Sequence, residues 1–323
     1  MSVPAQPDRP SLAVAVCTHR RRSGLHEVLG SLDDQSEPPQ VVYVLDNDPE
    51  GSARSAARPN GGPLVYVSMG ENAGPAGAFS RALELAQDDV DGPDWVTLVG
   101  DDNPLPTADV LAAIADLIQR VSVDEDVAAV GLNGARFSRT RGTSRLLDDE
   151  LDGVVDVDFV TGGGRPTYNV RALRRLGVEF DATLFFGFEE LDVGMGIRRA
   201  GGRVVVDGDW LRQARARAGK LGRPLPRVQP RRRARWRTYY SVRNHLIVSW
   251  RHSRPLGRVR AVGLGGAMVL SRVLDRRRWS DVAPAALGFV HWALGVRGRV
   301  LEPSAAVEPS ASGRSAGAEA EPR

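Results

Sequence analysis

A chain of 323 residues, 42% of them hydrophobic, is long enough to bury one large core or two modest ones, which excludes a wholly disordered protein. The 43 basic and 40 acidic side chains leave a net charge of +3, which excludes a nucleic-acid-like polycation. Cys17 is the single cysteine, so an intramolecular disulfide is excluded and a reducing compartment is expected. The first residues are too polar for a signal peptide, and the longest charge-free stretch, VAPAALGFVHWALGV at 282–296, falls short of the roughly 20 residues that span a bilayer. A cytoplasmic location follows as the expectation.

In chain order, LAVAVC at 12–17 and VVYVL at 41–45 read as strands, and SGLHEVLGSLDDQ between them spaces Leu25, Val28, Leu29 and Leu32 along one helical face. LVYVS at 64–68, a helical PAGAFSRALELAQ at 75–87 and WVTLV at 95–99 continue the alternation. TADVLAAIADLIQRV follows as a helix with Thr107 as its expected N-cap. Strands that are apolar throughout and alternate with helices predict an α/β sheet covered on both faces, with a ligand crevice beyond the carboxyl ends of the strands. That rule gathers three polar loops: THRRR at 18–22, DNDPEG at 46–51 and GDDNP at 100–104. The second half is less regular, with a glycine turn TGGGRP at 161–166, a helix near 170–176 and the segment FFGFEELDVGMGIRRAGG at 185–202. Residues 212–237 hold eleven basic side chains and no acidic one, ten of them arginine, whose planar fork suits phosphate. Residues 1–10 and the Ala, Ser, Pro and Glu tail from 303 to 323 are expected to be disordered.

Several residues carry chemistry in this pattern. Asp46, at a strand end, is either a turn former or an acceptor for a ribose hydroxyl or base N–H. Asp101 and Asp102 are adjacent anions that repel unless a hard divalent ion offsets them, or unless the Asp-Asp-Asn-Pro turn simply caps the next helix. Gly74 and Gly77, in ENAGPAGAFSRA, either bring backbone N–H groups to a phosphate or make a tight turn. Glu189, Glu190 and Asp192 follow Phe185, Phe186 and Phe188, so apolar walls can raise a carboxyl pKa for general-base work; the alternative is an acidic first turn favoured by the helix dipole.

The order of these segments resembles the family 2 glycosyltransferases of GT-A fold, from about residue 12 to about residue 250. AVCTHRR resembles that family's first strand and nucleotide loop, VLDND its second strand, ENAGPAGAF its Asn-x-Gly-x-x-Gly-Gly segment and WVTLVGDDN its metal-binding strand end. FFGFEELD resembles the acidic segment bearing the base, and RTYYSVRN at 237–244 a late Tyr-Tyr-x-x-Arg-Asn motif. Within the family the likeness is greatest to galactofuranosyltransferases that begin galactan synthesis on a lipid-linked acceptor, and next to rhamnosyltransferases.

The resemblance implies an α/β fold of GT-A type with a mixed, mainly parallel sheet over residues 11–210. Its nucleotide-sugar half covers about 11–105 and its acceptor half about 106–210, and a basic segment and helical C-terminal extension follow over 211–302. It implies that Thr18 and Asp46 hold the base or ribose of a UDP- or dTDP-linked sugar, with Asn72, Gly74, Gly77 and Asp101 in the same site. Asp102, supported by Asp101, would hold Mg²⁺ or Mn²⁺, and Gly162, Gly163 and Gly164 would meet the acceptor. Glu190, with Glu189 and Asp192 beside it, would take the proton of the acceptor hydroxyl in an inverting displacement. A polyprenyl-linked or polysaccharide acceptor is implied, and the Arg-rich run suits an anionic membrane surface; no nucleic-acid partner is expected and no oligomeric state is assigned.

Three positions depart from the family pattern. Gly100-Asp101-Asp102 replaces its aspartate triplet, Gly77-Ala78 replaces its Gly-Gly pair, and residues 207–217 lack the histidine that relatives place there as a metal ligand. Weaker metal binding, or none, follows as an expectation. Two other classes compete. A sugar-nucleotide pyrophosphorylase would need a glycine-rich phosphate loop after the first strand, where this chain has CTHRRRSG. A basic membrane- or nucleic-acid-binding protein on a degenerate fold would account for the Arg run and the missing histidine.

Overall fold

The computed structural model describes residues 9–138, 142–223 and 234–303. Its first half runs β1 (Leu12–Thr18), α1 (Arg22–Asp33), β2 (Val41–Asp46), β3 (Leu64–Ser68), α2 (Gly74–Asp88), β4 (Trp95–Gly100) and α3 (Val110–Val121). The second half continues with β5 (Val127–Gly131), β6 (Gly134–Ser138), β7 (Gly142–Arg145), β8 (Val154–Asp156), β9 (Phe159–Val160), β10 (Thr167–Asn169), α4 (Val170–Leu176), α5 (Glu189–Arg199), β11 (Arg203–Asp207) and α6 (Gly208–Arg217). Three further helices follow: α7 (Arg235–Arg251), α8 (Pro255–Leu274) and α9 (Val282–Ala293).

The main sheet has the order β3-β2-β1-β4-β10-β5-β11-β8. Its pairs are parallel except around β10, which runs against β4 and β5, and at the edge strand β8, which runs against β11. The sheet is therefore mixed and mainly parallel, as expected. A smaller sheet, β7-β6-β9, stands apart.

The apolar strands are sorted by side-chain alternation. Ala13, Ala15, Tyr43, Leu45, Val96 and Leu98 face α2 and α4, whereas Val14, Val16, Val42, Val44 and Val99 face α1 and α3. Each Val or Leu so buried contributes about 1.5–3 kcal/mol, which is why runs with no polar alternation fold as central strands.

One cap differs from the expectation. α3 begins at Val110 rather than at Thr107, whose hydroxyl bonds the Asp109 carboxylate instead of a helix amide. The reason is tertiary: Gln35 of the segment after α1 accepts from the Leu111 N–H at 3.0 Å and donates to the Thr107 carbonyl at 2.9 Å, so the cap arrives from elsewhere in the chain.

The Arg-rich run begins inside α6, and its residues 224–233 lie outside the described residues, as do 1–8 and 304–323 of the expected disordered ends. Among the described residues no helix is long and apolar enough to cross a membrane.

Candidate active site

Register delivers the polar loops to one edge of the sheet. β1 and β4 pair up to Cys17 and Gly100, and β1 and β2 up to Thr18 and Asp46, so the residues that follow emerge side by side. Thr18 Oγ1 donates to Asp101 Oδ2 at 2.8 Å, and the His19 N–H donates to the same oxygen at 3.3 Å. Arg21 Nη1 lies 3.6 Å from Asp101 Oδ1 and 3.7 Å from Asp102 Oδ2, a shared counter-cation for both carboxylates. Burial pushes the Asp101 carboxyl above its ordinary range, against the pull of the Thr18 hydrogen bond and of Arg21. Asp102 is exposed. A Cβ at Gly100 would stand 2.9 Å from Asp102 Oδ1, so the missing side chain leaves room for the Asp102 carboxylate to fold back.

Asp46 and Asn72 work beneath this edge. Asp46 is fully buried: Oδ1 accepts from the Asp48 N–H at 3.0 Å, and Oδ2 from the Ala53 N–H at 2.8 Å and the Tyr66 hydroxyl at 3.1 Å. Its carboxylate thus shapes loop 46–53. Asn72 Oδ1 accepts from the Gly74 N–H at 3.1 Å, and Asn47 bridges the end of β2 to α2 by accepting from the Ala73 N–H at 2.9 Å. Gly74 has φ +68°, and a Cβ there would strike the Phe185 carbonyl oxygen at 2.1 Å; one at Gly77 would meet Ala73 Cβ at 2.6 Å. Close packing demands a glycine at both positions.

The opposite wall is the start of α5. Phe185 (φ +63°) and Phe188 (φ +75°) hold left-handed backbone that costs non-glycine residues on the order of 1–3 kcal/mol each. α7 holds that loop in place. Fully buried Arg243 donates to the carbonyls of Leu184 (3.0 Å) and Gly298 (2.7 Å), and Asn244 Nδ2 lies within hydrogen-bond reach of the carbonyls of Leu184 (2.8 Å), Phe186 (2.9 Å) and Gly187 (3.0 Å).

The loop delivers Glu189 and Glu190 beneath the crevice. Glu189 is buried, and its Oε2 has no hydrogen-bond partner. Burial, with repulsion from Glu190, pushes its carboxyl well above the ordinary range; burial also raises Glu190, which retains partial exposure. The two carboxyls titrate as a pair, and the unpartnered buried oxygen makes Glu189 the costlier of the two to ionise.

The glycine turn joins the two walls. A Cβ at Gly162 would lie 3.2 Å from Glu190 Oε1, and Asn103 Nδ2 donates to the Gly162 carbonyl at 3.4 Å. Gly163 has open space at its Cβ position, whereas Gly164 packs on the Asn133 backbone, where a Cβ would strike the carbonyl oxygen at 2.0 Å. Cys17, buried beneath, has its thiol pushed up by burial and then by Asp101, with smaller contributions from Glu189 and Asp102, so one dry floor underlies both acidic groups. Asp192 is occupied elsewhere: it pairs with Arg251 and accepts from or shares a proton with His252 Nε2 at 2.8 Å, tying α5 to the end of α7.

The sequence assigned no role to Arg21 or Arg165. Arg21 lay within a loop already noted, but its reach to both aspartates depends on the backbone at Arg20 (φ +58°). Arg165 (φ +55°) is buried, donates to the Pro104 carbonyl at 2.8 Å and braces the 100–104 loop; burial lowers its pKa to about 10 while Asp102 opposes the shift. Arg243 belongs to the Tyr-Tyr-x-x-Arg-Asn motif noted above, but the carbonyls of Thr183 and Leu184 that it holds lie about sixty residues away, and the motif did not point to them.

Asp101 and Asp102 supply hard oxygens that Arg21 faces, and among the described residues no group of three or more His, Cys, Asp or Glu side chains gathers. That donor set fits a divalent ion that takes its remaining oxygens from a bound phosphate and from water.

The sequence profile described as "Glycosyl transferase family 2" matches residues 13–161. The chain is 34% identical over 119 residues to the galactofuranosyltransferase GlfT1 of Mycobacterium tuberculosis, in strains H37Rv and CDC 1551, a match that covers 36% of this chain and 38% of that protein. The chain thus spans well under half the length of the curated relatives it matches. Among solved structures, GalNAc-T7 with UDP, GalNAc and Mn²⁺ superposes with a TM-score of 0.51 at 12% identity, over 63% of this chain and 43% of that one, which shows a shared fold.

Proposed function

We propose that this chain, whose residues 13–161 match the glycosyl transferase family 2 profile, belongs to that family and moves a sugar from a nucleoside diphosphate donor to an acceptor hydroxyl with inversion, Glu190 being the base. The observation that carries this reading is the meeting of two kinds of carboxylate across the Gly162 turn: a polar, cation-paired pair at 101–102 and a partly exposed carboxyl of raised pKa at 190.

In the proposed reaction Glu190 accepts the proton of the acceptor hydroxyl, whose oxygen forms a bond to the anomeric carbon of the donor. The bond from that carbon to the diphosphate breaks on the opposite face, and the nucleoside diphosphate leaves with the electron pair. Asp101 is fixed by Thr18 and His19 so that it orients Asp102, and the Asp46 network and Asn72 support the nucleotide side from below. Mg²⁺ or Mn²⁺ held by Asp102 and Asp101 would supply positive charge to the diphosphate.

Likeness to a galactofuranosyltransferase supports a UDP-linked galactofuranose donor, with dTDP-rhamnose the second choice, and a lipid-linked or polysaccharide acceptor of the cell envelope. The Arg-rich run at 212–237 supports work at the cytoplasmic, anionic face of a membrane.

The test is nucleotide release by purified protein with Mn²⁺ and each donor. Glu190→Gln should lower turnover by roughly 10²–10⁴-fold while UDP still raises the melting temperature. Undiminished turnover removes Glu190 from the role, and the absence of a thermal shift with UDP, dTDP and GDP alike would overturn the whole reading.

A further inference from the structure

Away from the crevice, the start of α8 lies at a cavity of about 380 Å³ lined by Arg198 and Arg199 of α5, Arg251 of α7, and Ser253, Arg254 and Arg258. No carboxylate lines it. Arg251 is neutralised by Asp181 and Asp192, and Arg198 by Asp158. Among the described residues no carboxylate pairs with Arg199, Arg254 or Arg258: Arg199 donates to the Arg251 carbonyl at 3.2 Å, and Arg258 donates to the Trp250 carbonyl at 3.3 Å.

Ser253 is 8% exposed, and its hydroxyl has no hydrogen-bond partner. α8 itself, twenty residues long, starts with Pro255 and has no side-chain cap, so the amides of Leu256 and Gly257 lack intrahelical acceptors. Uncompensated guanidinium groups, a buried hydroxyl and an open helix N-terminus together make a receptor for phosphate oxygens.

From Gly263 to Leu274 the exposed side of the same helix is uncharged. Val259 (72% exposed), Leu270 (55%) and Leu274 (76%) lie on one stripe with Gly263, Gly266 and Ala267 exposed between them. The stripe runs on to Trp279 (59% exposed), whose Nε1 donates to the Val273 carbonyl at 2.9 Å. Residues 251–300 contain ten arginines against Asp275 and Asp281. An exposed apolar helix face with a tryptophan and basic residues at its ends suits the boundary between headgroups and acyl chains.

We propose that the pocket at the N-terminus of α8 binds the phosphate of an anionic phospholipid, and that α8 thereby lies along a membrane surface with Val259, Leu270, Leu274 and Trp279 toward the acyl chains. The inference rests on the membrane-surface part of the function proposed above and is independent of sugar transfer. It gives that surface an address: α8 packs on α7, whose Arg243 and Asn244 hold the loop before Glu190, so a docked α8 brings the crevice close to a lipid-linked acceptor.

Co-sedimentation of the full chain with vesicles, without donor, is the test. Binding is expected to vesicles containing phosphatidylglycerol and not to phosphatidylcholine alone. Arg199→Ala and Arg254→Ala should each weaken it about fivefold. Leu270→Glu combined with Leu274→Glu should abolish it, with melting temperature and nucleotide release in solution unchanged. Inorganic phosphate should raise the melting temperature of the native chain, and Ser253→Ala with Arg254→Ala should cancel that rise. A phosphate shift without vesicle binding would assign the pocket to a soluble phosphate and overturn the membrane assignment. Vesicle binding that survives both arginine changes would overturn the pocket. Because the readout needs no donor, failure of sugar transfer leaves either result standing.

Discussion

Glu189 is an expensive residue where it stands. Its carboxyl is buried against Glu190 with an unpartnered oxygen, and its pKa in the folded chain is raised well above that of an unfolded glutamate. The folded state therefore binds more protons than the unfolded state once the pH exceeds the ordinary glutamate value, and stability falls as pH rises from there through the folded pKa. Glu189→Gln removes that penalty. Its melting temperature at pH 8 should exceed the parent's by a few degrees, with a much smaller gain at pH 4, measured by thermal denaturation across pH. Equal gains at both values would mean that Glu189 is not held protonated. The candidate carboxylates were legible in the sequence because each follows an apolar strand or aromatic run, which fixes where a charge must emerge. Arg165 and Asn47 were not, since an arginine or asparagine in a loop reads as solvated until a partner such as the Pro104 carbonyl or the Ala73 amide comes into view.

At the scale of elements, β1 to β4 were legible as unbroken apolar runs because a strand covered on both faces has no polar alternation to hide it. The strands β8, β9 and β10 are two or three residues long, too short for any period, and exist through their pairing with β11, β6 and β4. The aromatic loop before α5 belongs to the same class: its left-handed residues are set by α7 and not by local preference. Asn244→Ala would strip the carbonyls of Phe186 and Gly187 of this partner and leave that of Leu184 with Arg243 alone. We expect a loss of roughly 2–4 kcal/mol in denaturant unfolding, together with a fall in turnover at unchanged donor affinity. Wild-type stability in that variant would show that the loop keeps its shape without α7.

Across the whole molecule, the chain returns after α9 to the loop that carries Glu190. The Gly298 N–H donates to the Thr183 carbonyl at 2.7 Å, and the Gly298 carbonyl accepts from buried Arg243, also at 2.7 Å. Tyr240 ties in the next residues: its hydroxyl accepts from the Val300 N–H at 2.9 Å and lies 3.1 Å from the Leu301 carbonyl. Residues nearly two hundred positions past the end of β4 thus pack on the loop before Glu190, well beyond the sequence profile, which ends at residue 161. Ending the chain at Arg297 should then act on chemistry as well as on stability. Compared with a chain ending at Pro303, it leaves the Arg243 guanidinium with one bond fewer and the Thr183 carbonyl with only the longer Arg243 contact at 3.4 Å, a cost of roughly 1–3 kcal/mol, or a few degrees in melting temperature. Because Arg243 positions the carbonyl of Leu184 ahead of Glu190 while the Asp101 pocket is untouched, UDP should still stabilise the shorter chain while turnover falls at least tenfold. Turnover and stability equal to those of the longer chain would show that residues 298–301 merely rest on the loop before Glu190.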